Sequence, residues 1–393
     1  MNILSKSLLP ILLVAFTAQA ENVRIRVDAG DTARPAAPMS LNLPGKQAVV
    51  VRILPVSSAD APLDAQVQKS ANGITVRWVE PAMKANESHE YNLSLQDNGT
   101  SGGFQYVSGD GYCDLLLGGK PLLRHMYKYE SPAPNKSSKP FIHVFGMHDE
   151  GLITKGPGGK MESHHRGIFL GFGTQFGNFW DCKDPAVDQH HVKFVQDEEF
   201  ASTVAARCVE LTDWIAKGKL IISDRRQTTT WNLAPGIVLM DFDITMQSHA
   251  GDVKLVNNSH HAGFHFRTNE EVEGDKPSLH TGNVTYIRPA SANLSKDDEW
   301  HDCAWVAANF SIKGNPYTVM HLNSPTNPPS VYSTRPYGRF GASFNDTLSE
   351  GKPMNLKYRI IIFDAKKYPN LDLAALTTYY NDFVSPAKAA VEK

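Results

Sequence analysis

The sequence predicts a mainly β protein with one helix near its C-terminus. Short runs in which apolar and polar residues alternate recur along most of the 393 residues, and alternation with a period of two is typical of strands. The chain also holds 29 glycines and 24 prolines, which favour turns over long helices. Only residues 371–383 have the spacing of an amphipathic helix. Together these features predict antiparallel sheets joined by short turns.

Residues 1–20 have the pattern of a secretory signal peptide. Lys6 supplies a positive charge, residues 8–16 are apolar, and Ala18 and Ala20 form a small-x-small cleavage site. The apolar stretch is shorter than the roughly 20 residues that cross a bilayer, so we expect cleavage after Ala20 rather than an uncleaved anchor. No other stretch suggests a membrane span. The protein is therefore expected in the periplasm or secreted.

The overall composition excludes some partners and leaves other questions open. Lys and Arg number 39, Asp and Glu 41, and no basic stripe exists, so nothing indicates a nucleic-acid partner. Four cysteines permit two disulfides in any of three pairings, or buried free thiols: Cys113, Cys182, Cys208 and Cys303. The oligomeric state does not follow from the sequence.

Residues 21–100 are expected to form a small antiparallel β-sandwich. Strand-like runs occupy residues 23–27, 48–54, 73–79 and 88–95, bounded by Pro, Gly and Asp, and they carry no catalytic constellation. A turn at residues 97–99 and the Ser-Gly-Gly that follows mark the expected boundary. The second domain is then residues 101–393, which should hold the active-site cleft.

Residues 257–267 combine imidazole, guanidinium and amide side chains around a central glycine. As one strand, they would place His260, Ala262, Phe264 and Phe266 on the core side. The other face would carry Asn257, Ser259, His261, Gly263, His265 and Arg267. Imidazoles and a guanidinium around a glycine predict the floor of a polar binding cleft. Hydrogen-bonded surface histidines with a structural arginine are the alternative.

Two pairs of adjacent histidines raise the question of a metal ion. His164 and His165 precede Arg166, and His190 and His191 follow in a hairpin-like setting. Neighbouring side chains of an extended strand point to opposite faces, so one pair binds a single ion only where the backbone bends, as Gly167 allows. A divalent metal held by four imidazoles and purely hydrogen-bonding histidines both remain open. No other cofactor is indicated.

The polar faces of several strands share a small set of residue types, which are His, Arg, Asn, Tyr and Trp, with few lysines. Aromatic rings stack on the C–H faces of sugars, while Arg, Asn and His bind hydroxyls and carboxylates. A sheet that gathers such side chains predicts a carbohydrate site. The residues expected to hold substrate are His164, Trp180, His321, Asn323, Arg335, Tyr337 and Arg339.

An ordered set of motifs resembles the secreted PmoA-like family of unassigned function. The motifs are His164-His165-Arg166-Gly167, Phe179-Trp180, Asp213-Trp214 ahead of Gly218-Lys-Leu, Ala262-Gly263-Phe-His265-Phe-Arg267, His321-Leu-Asn323-Ser-Pro-Thr-Asn327-Pro328 and Tyr337-Gly-Arg339-Phe-Gly341. The resemblance covers about residues 104–365. It implies a β-supersandwich like that of galactose mutarotase. The family's inherited name points to a methane mono-oxygenase subunit, an integral membrane protein whose spanning helices this sequence lacks.

The expected function is an exported enzyme that acts on a sugar or glycan as a lyase, epimerase or glycosidase. His165, His261 and His265 are the candidate acids and bases, because imidazole titrates near neutral pH. Arg166 and Arg267 would clamp a carboxylate or a developing negative charge. No paired-carboxylate motif of a hydrolase stands out, which favours elimination or epimerisation. The alternative is a non-catalytic glycan-binding protein of the cell envelope.

Overall fold

The computed structural model describes residues 21–48, 50–57, 61–96, 103–128, 139–158, 162, 164–257, 260–274, 281–296 and 299–392. The expected signal peptide and the turn expected at residues 97–99 lie outside them. Strands dominate, they pair antiparallel throughout these residues, and one α-helix lies near the C-terminus. The predicted mainly β class is therefore confirmed.

The strands of the described residues are, in chain order, β1 Glu21–Asp28, β2 Ala37–Pro44, β3 Val50–Pro55, β4 Leu63–Ser70, β5 Gly73–Glu80, β6 Ser88–Gln96, β7 Phe104–Gly109, β8 Tyr112–Leu117, β9 Lys120–Met126, β10 Phe141–Val144, β11 Ile168–Gly171, β12 Gly173–Thr174, β13 Gly177–Asn178, β14 Val187–Phe194, β15 Phe200–Ala201, β16 Ala205–Ala216, β17 Lys219–Ala234, β18 Ile237–Ser248, β19 Val253–Leu255, β20 Gly263–Arg267, β21 Thr285–Ile287, β22 Asn293–Leu294, β23 Trp300–His301, β24 Trp305–Ile312, β25 Asn315–Asn323, β26 Val331–Arg335, β27 Arg339–Ser343, β28 Asp346–Leu348, β29 Met354–Asp364 and β30 Lys388–Val391. The helix, α1, is Leu373–Val384.

The N-terminal sheet has the strand order β2-β5-β4-β3-β6-β1-β30. Its alternate residues, among them Ile25, Ile53, Trp78 and Leu93, are fully buried in one apolar cluster. The last strand, β30, pairs with β1, so the C-terminal end of the chain returns to this sheet. The predicted domain boundary between residues 100 and 101 stays a prediction. Strand β30 belongs to the second predicted domain by its position in the chain, but it pairs within the N-terminal sheet.

Two large antiparallel sheets form the rest of the fold. One has the order β22-β23-β26-β27-β20-β11-β10-β9-β8-β7, and the other β14-β16-β17-β18-β29-β25-β24-β21 with β15 beside β16. Phe264 and Phe266 of the first sheet and Phe242 and Ile360 of the second lie in one shared core. Two packed sheets with a common apolar interior agree with the expected sandwich architecture.

Helix α1 covers the outer face of the second large sheet. Asp372 caps it, since the carboxylate accepts a 2.8 Å hydrogen bond from the Ala375 N–H. Leu376 is fully buried against a second apolar cluster that contains Trp305 and Phe363. The helix begins two residues later than the predicted start at residue 371. Within the described residues, no helix has the length and apolar character needed to cross a membrane.

The strand expected over residues 257–267 is shorter than predicted. It begins at Gly263, because positive φ angles of 74° at His260 and 94° at Gly263 break the extended backbone. The two-faced assignment therefore holds only from Gly263 onward. Phe264 and Phe266 face the core as expected, while His260 and His261 lie in the connection before the strand.

The four cysteines are buried thiols, and none of them is in a disulfide. The alternative of buried thiols therefore holds, and neither of the two permitted disulfides forms.

Candidate functional site

Three neighbouring strands of the ten-stranded sheet, β11, β20 and β27, form the base of the site. Phe169 lies opposite His265, which lies opposite Gly341, and in the next row Arg267 lies opposite Arg339. Directly paired residues of antiparallel strands project to the same side of a sheet. Because Phe264 and Phe266 face the core, these side chains project from the outer face.

Trp180 covers this outer face because Gly171 lets its chain segment come close. A Cβ atom at position 171 would lie 2.7 Å from the Phe179 carbonyl oxygen and 2.7 Å from the Trp180 Cα. Only glycine fits such an approach. The indole ring centre then lies 4.7 Å from those of Phe169 and His265. The absence of a side chain at Gly171 therefore allows Trp180 to pack over the end of strand β11.

A turn before Gly167 brings both adjacent histidines into the site, and in it the His165 N–H donates to the Glu162 carbonyl at 2.9 Å. Gly167 has a φ of 28°, and a Cβ there would lie 2.1 Å from the Ile142 carbonyl oxygen. The ring centres of His164 and His165 are 4.3 Å apart. The bend that the sequence analysis required for two neighbouring histidines to face one point is present.

The remaining aromatic and imidazole rings close around this pair. The His165 ring centre lies 5.8 Å from that of Trp180 and 6.3 Å from that of Tyr337, which is nearly parallel to it. His261 lies 6.3 Å from both His164 and Trp180. We call this group the imidazole cluster; its members are His164, His165, Trp180, His261, His265, Tyr337 and Arg339.

Several polar atoms of the imidazole cluster are buried without a hydrogen-bond partner among the described residues. Both ring nitrogens of His165, Nε2 of His164 and Nε1 of Trp180 are in this state. His164 is 3% exposed and His165 is 1% exposed. Buried polar groups in folded proteins are almost always paired, so these nitrogens are open to a ligand, an ion or ordered water. His261 is half-buried and lies on the solvent side of the group.

Burial keeps the two adjacent histidines unprotonated. It lowers the pKa of His164 to about 2, and the positive charges of Lys139, Lys183 and Arg339 add to the effect. The pKa of His165 is also well below its ordinary value, first because of burial and then because of His164 and Arg339. Both imidazoles therefore present free lone pairs at neutral pH.

His265 has a structural role that differs from the predicted one. Its Nε2 donates a 2.9 Å hydrogen bond to the Ala262 carbonyl, and its Nδ1 accepts from Arg339 Nη1 at 3.4 Å. Both ring nitrogens are therefore engaged, and burial beside Arg339 holds its pKa well below the usual range. The predicted acid/base role of His265 is incompatible with these contacts.

Arg267 is a poor clamp for a substrate anion because its guanidinium is already paired with a carboxylate of the protein. Its Nη2 donates to the buried carboxylate of Glu273, its Nη1 donates to the Tyr337 carbonyl, and its guanidinium lies 4.7 Å from the Tyr337 ring centre. Arg166 is fully buried and donates from Nη1 to the Lys139 carbonyl at 3.4 Å. The predicted clamp role of Arg267 is therefore wrong, while that of Arg166 stays a prediction.

Arg339 is the guanidinium at the centre of the site. It donates to the His260 carbonyl at 2.8 Å, to Ser333 Oγ at 3.0 Å and to the Tyr337 hydroxyl at 3.4 Å. All of these acceptors are neutral, and no carboxylate in the described part of the chain forms an ion pair with Arg339. Arg335 lies directly opposite Arg339 on the neighbouring strand and is buried too.

His321 and Asn323 lie away from the imidazole cluster. His321 is on the core side, where its Nε2 donates to the Phe264 carbonyl at 3.1 Å and its Nδ1 lies 3.0 Å from the Tyr332 hydroxyl. Asn323 accepts a 2.8 Å hydrogen bond from Asn327. The prediction that His321 holds substrate is wrong, because alternation on β25 turns its side chain toward the interior, while the same prediction for the half-buried Asn323 stays a prediction.

The four-imidazole metal site is also wrong. His190 lies 2.8 Å from Asp188, and His191 lies 2.8 Å from Glu210 on the other large sheet. Instead, Glu162 joins His164 and His165, with one ligand atom of each within 4.8 Å of the others; among the described residues no further group of this kind occurs.

Sequence analysis missed two residues of this region. Glu162 stands two positions before His164, a spacing with no meaning until the bend is known. Lys139 follows a Pro/Ser-rich stretch and looked like a solvated loop residue. Its Nζ is buried, donates to the Trp180 carbonyl and lies 4.2 Å from the Phe169 ring centre, and burial lowers its pKa to about 7.

Fold and site together define an antiparallel β-sandwich protein with a buried cluster of imidazole, indole and guanidinium groups on the outer face of one sheet. The chain belongs to a family of unknown function, DUF6807, which matches residues 112–376. A comparison with curated proteins finds no match.

One solved structure with a similar fold is a protein in the glycosyl hydrolase family 38 from Enterococcus faecalis. The similarity has a TM-score of 0.45 and 9% sequence identity, and it covers 95% of this chain and 47% of that one. The chain therefore spans about half the length of that protein.

Proposed function

We propose that the protein is a carbohydrate-active enzyme whose substrate binds at the imidazole cluster. The observation that carries the proposal is the convergence of His164, His165 and His261 with Trp180, from three separate chain segments, around buried nitrogens that lack partners. An indole and imidazoles in one place can stack on a sugar ring and bind its hydroxyls. Titratable groups with strongly shifted pKa values in one site more often serve chemistry than packing.

The charges around the cluster favour an anionic sugar such as a uronate. Arg339 has only neutral hydrogen-bond acceptors among the described residues, and Lys139 is buried behind Trp180. A buried positive charge without a counterion is costly, and a carboxylate ligand offsets that cost. A carboxylate also acidifies the neighbouring C–H of a uronate, which suits elimination or epimerisation.

The residues divide into distinct roles in this proposal. His261 is the proton-transfer group, because it is the half-buried imidazole at the solvent side of the cluster and can exchange protons with water. His164 and His165 bind the ligand through their unprotonated nitrogens. Arg339 faces negative charge on the ligand, and Trp180 provides the stacking surface.

The test is turnover of a panel of neutral and acidic oligosaccharides by the wild type and by His261→Ala, with product detected by mass spectrometry. The expected result is turnover of an acidic member and a loss of about 10²–10⁴-fold in His261→Ala, the range for removal of a general acid or base. His249→Ala is the matched control, because His249 is an exposed histidine whose ring bonds the Ser223 hydroxyl at 2.8 Å.

The outcomes separate catalysis from simple binding. Full turnover in His261→Ala contradicts the assigned role. An oligosaccharide that binds in calorimetry and is recovered unchanged after long incubation points to the alternative, a non-catalytic glycan-binding protein of the cell envelope.

We also propose export to the periplasm or the medium and kinship with the secreted PmoA-like family. The N-terminal pattern of Lys6, an apolar stretch and Ala18-Gln19-Ala20 supports export. Mass spectrometry of the protein from its native host tests it: a mature N-terminus at Glu21 is expected, and retention of residues 1–20 in a cytosolic fraction contradicts it.

A further inference from the structure

We propose that Glu162, His164 and His165 bind one divalent transition-metal ion. One ligand atom from each residue lies within 4.8 Å of the other two, and no other group of this kind occurs in the described part of the chain. Imidazole and carboxylate together form the donor set of many zinc enzymes and of other first-row metal sites.

The spacing of the donors fits ligands of one ion better than a direct hydrogen bond. His164 Nδ1 and Glu162 Oε2 are 3.5 Å apart, which is long for a hydrogen bond between nitrogen and oxygen. Two donors bound at about 2.0–2.1 Å in tetrahedral geometry lie about 3.3 Å from each other. An ion placed between these two atoms therefore needs only a small movement of either side chain.

The state of His165 supplies an independent argument. This residue is 1% exposed, and neither of its ring nitrogens has a hydrogen-bond partner among the described residues. A buried imidazole with both nitrogens unpaired loses its hydration without compensation. A bond from one nitrogen of His165 to a metal ion would give one of the two ring nitrogens a partner. Nε2 of His164 is also buried without a hydrogen-bond partner among the described residues.

Three protein ligands leave coordination positions open. Structural zinc sites are closed by four protein ligands, whereas catalytic sites hold three and keep a position for water or substrate. His261 and Trp180 lie next to these ligands, since the His261 ring centre is 6.3 Å from that of His164 and the Trp180 ring centre is 5.8 Å from that of His165. An ion at this point would polarise a sugar carboxylate or hydroxyl as a Lewis acid. This catalytic meaning rests on the proposed function, but metal binding is measured without any sugar.

The experiment uses the tag-free full-length protein, stripped with chelator and titrated with Zn²⁺ in calorimetry, and reloaded with Co²⁺ for visible spectroscopy. We expect one Zn²⁺ per chain with a dissociation constant below about 1 μM. Co²⁺ should give d–d bands typical of nitrogen and oxygen ligands. Glu162→Gln and His164→Gln should weaken Zn²⁺ binding at least 100-fold and remove the bands. His190→Gln, which alters the other histidine pair, should bind as the wild type does.

Each outcome decides the proposal. Wild-type protein that binds no Zn²⁺, Mn²⁺, Fe²⁺ or Co²⁺ below 100 μM overturns it, as does equal loss in His190→Gln. Circular dichroism shows whether each variant is folded. A Glu162→Gln or His164→Gln variant that has a wild-type spectrum and still binds the ion as the wild type does also overturns the assignment. If the ion binds but no sugar is turned over, the proposed function fails and the metal site stands. If sugar is turned over equally well by the stripped protein, the catalytic role of the ion fails and the proposed function stands.

Discussion

Arg339 donates a hydrogen bond to Nδ1 of His265, and that contact determines which ring nitrogen of the imidazole carries the proton. The two atoms are 3.4 Å apart, while Nε2 of the same ring donates to the Ala262 carbonyl at 2.9 Å. A neutral imidazole has one donor and one acceptor, and here both are used. His265 is therefore part of the support beneath the candidate site.

Replacement of His265 by Phe should lower stability rather than alter chemistry. The aromatic ring would keep the packing against Trp180 and Phe169, but the Ala262 carbonyl and Arg339 would each lose a buried partner. Unpaired groups of this kind cost about 1–3 kcal/mol in the free energy of unfolding. Urea unfolding measures the loss, and the exposed His249→Phe should change stability by less than about 0.5 kcal/mol. A fully stable His265→Phe would contradict the structural role.

The core histidine His321 should make the protein sensitive to acid. Burial lowers its pKa to about 3 from an ordinary value of 6.5. Between those values the unfolded chain binds a proton that the folded protein excludes, so stability is full above pH 6.5 and falls as the pH drops toward 3. One such group contributes a slope of about 1.4 kcal/mol per pH unit.

The check compares wild type and His321→Gln by urea unfolding from pH 8.5 to 4. The stability difference between them should be constant above pH 7.5 and should shrink below pH 6.5, because Gln does not titrate. A difference that stays constant down to pH 4 would show that His321 does not titrate in this way.

Breaking the buried pair of Arg267 and Glu273 should be costly. Their side chains are 0% and 5% exposed, so Glu273→Ala leaves a buried guanidinium without its carboxylate. The expected loss is about 3–5 kcal/mol. Lys120→Ala is the comparison, because the side chains of Lys120 and its partner Asp149 are 70% and 76% exposed and such surface pairs contribute less than about 1 kcal/mol. Equal effects of the two substitutions in chemical unfolding would refute the argument.

Gly171→Ala should displace Trp180 and with it the covering of the site. The added methyl would lie 2.7 Å from two backbone atoms of the crossing segment, and overpacking of this kind costs about 1–3 kcal/mol. Gly173→Ala is matched in chemistry but meets its nearest atom, the Val256 carbonyl oxygen, at 3.6 Å. Thermal unfolding and tryptophan fluorescence should therefore change in the first variant and stay near wild type in the second.

Many of the strands could be predicted from the alternation of apolar and polar residues alone, because successive side chains of a strand point to opposite faces and one face is buried. The strand at residues 73–79 was predicted within one residue of Gly73–Glu80. The strand Ala37–Pro44 was missed, since it contains two prolines, which argue against a strand. Pairing of the C-terminal β30 with β1 joins residues more than 350 positions apart, and no local pattern encodes such a contact.

The site could be predicted where the position of a residue in its strand determines the face to which its side chain points. His265 lies on the expected face of β20, yet His321, which was expected to hold substrate, faces the core, because nothing in one sequence tells which face of β25 meets the core. Glu162 and Lys139 escaped notice for another reason. They reach the cluster through bends and loops, and loop geometry depends on tertiary contacts such as that of Gly167 with Ile142.

The most direct test of the central claim is a crystal structure of the protein soaked with the acidic oligosaccharide that it turns over best. The account predicts a sugar ring against Trp180, with a hydroxyl or carboxylate oxygen within 3.2 Å of a nitrogen of His164, His165 or His261, or of an ion that His164 and His165 hold. A sugar bound instead in the cleft between the N-terminal sheet and the second large sheet, beside Arg77 and Arg207, would contradict it.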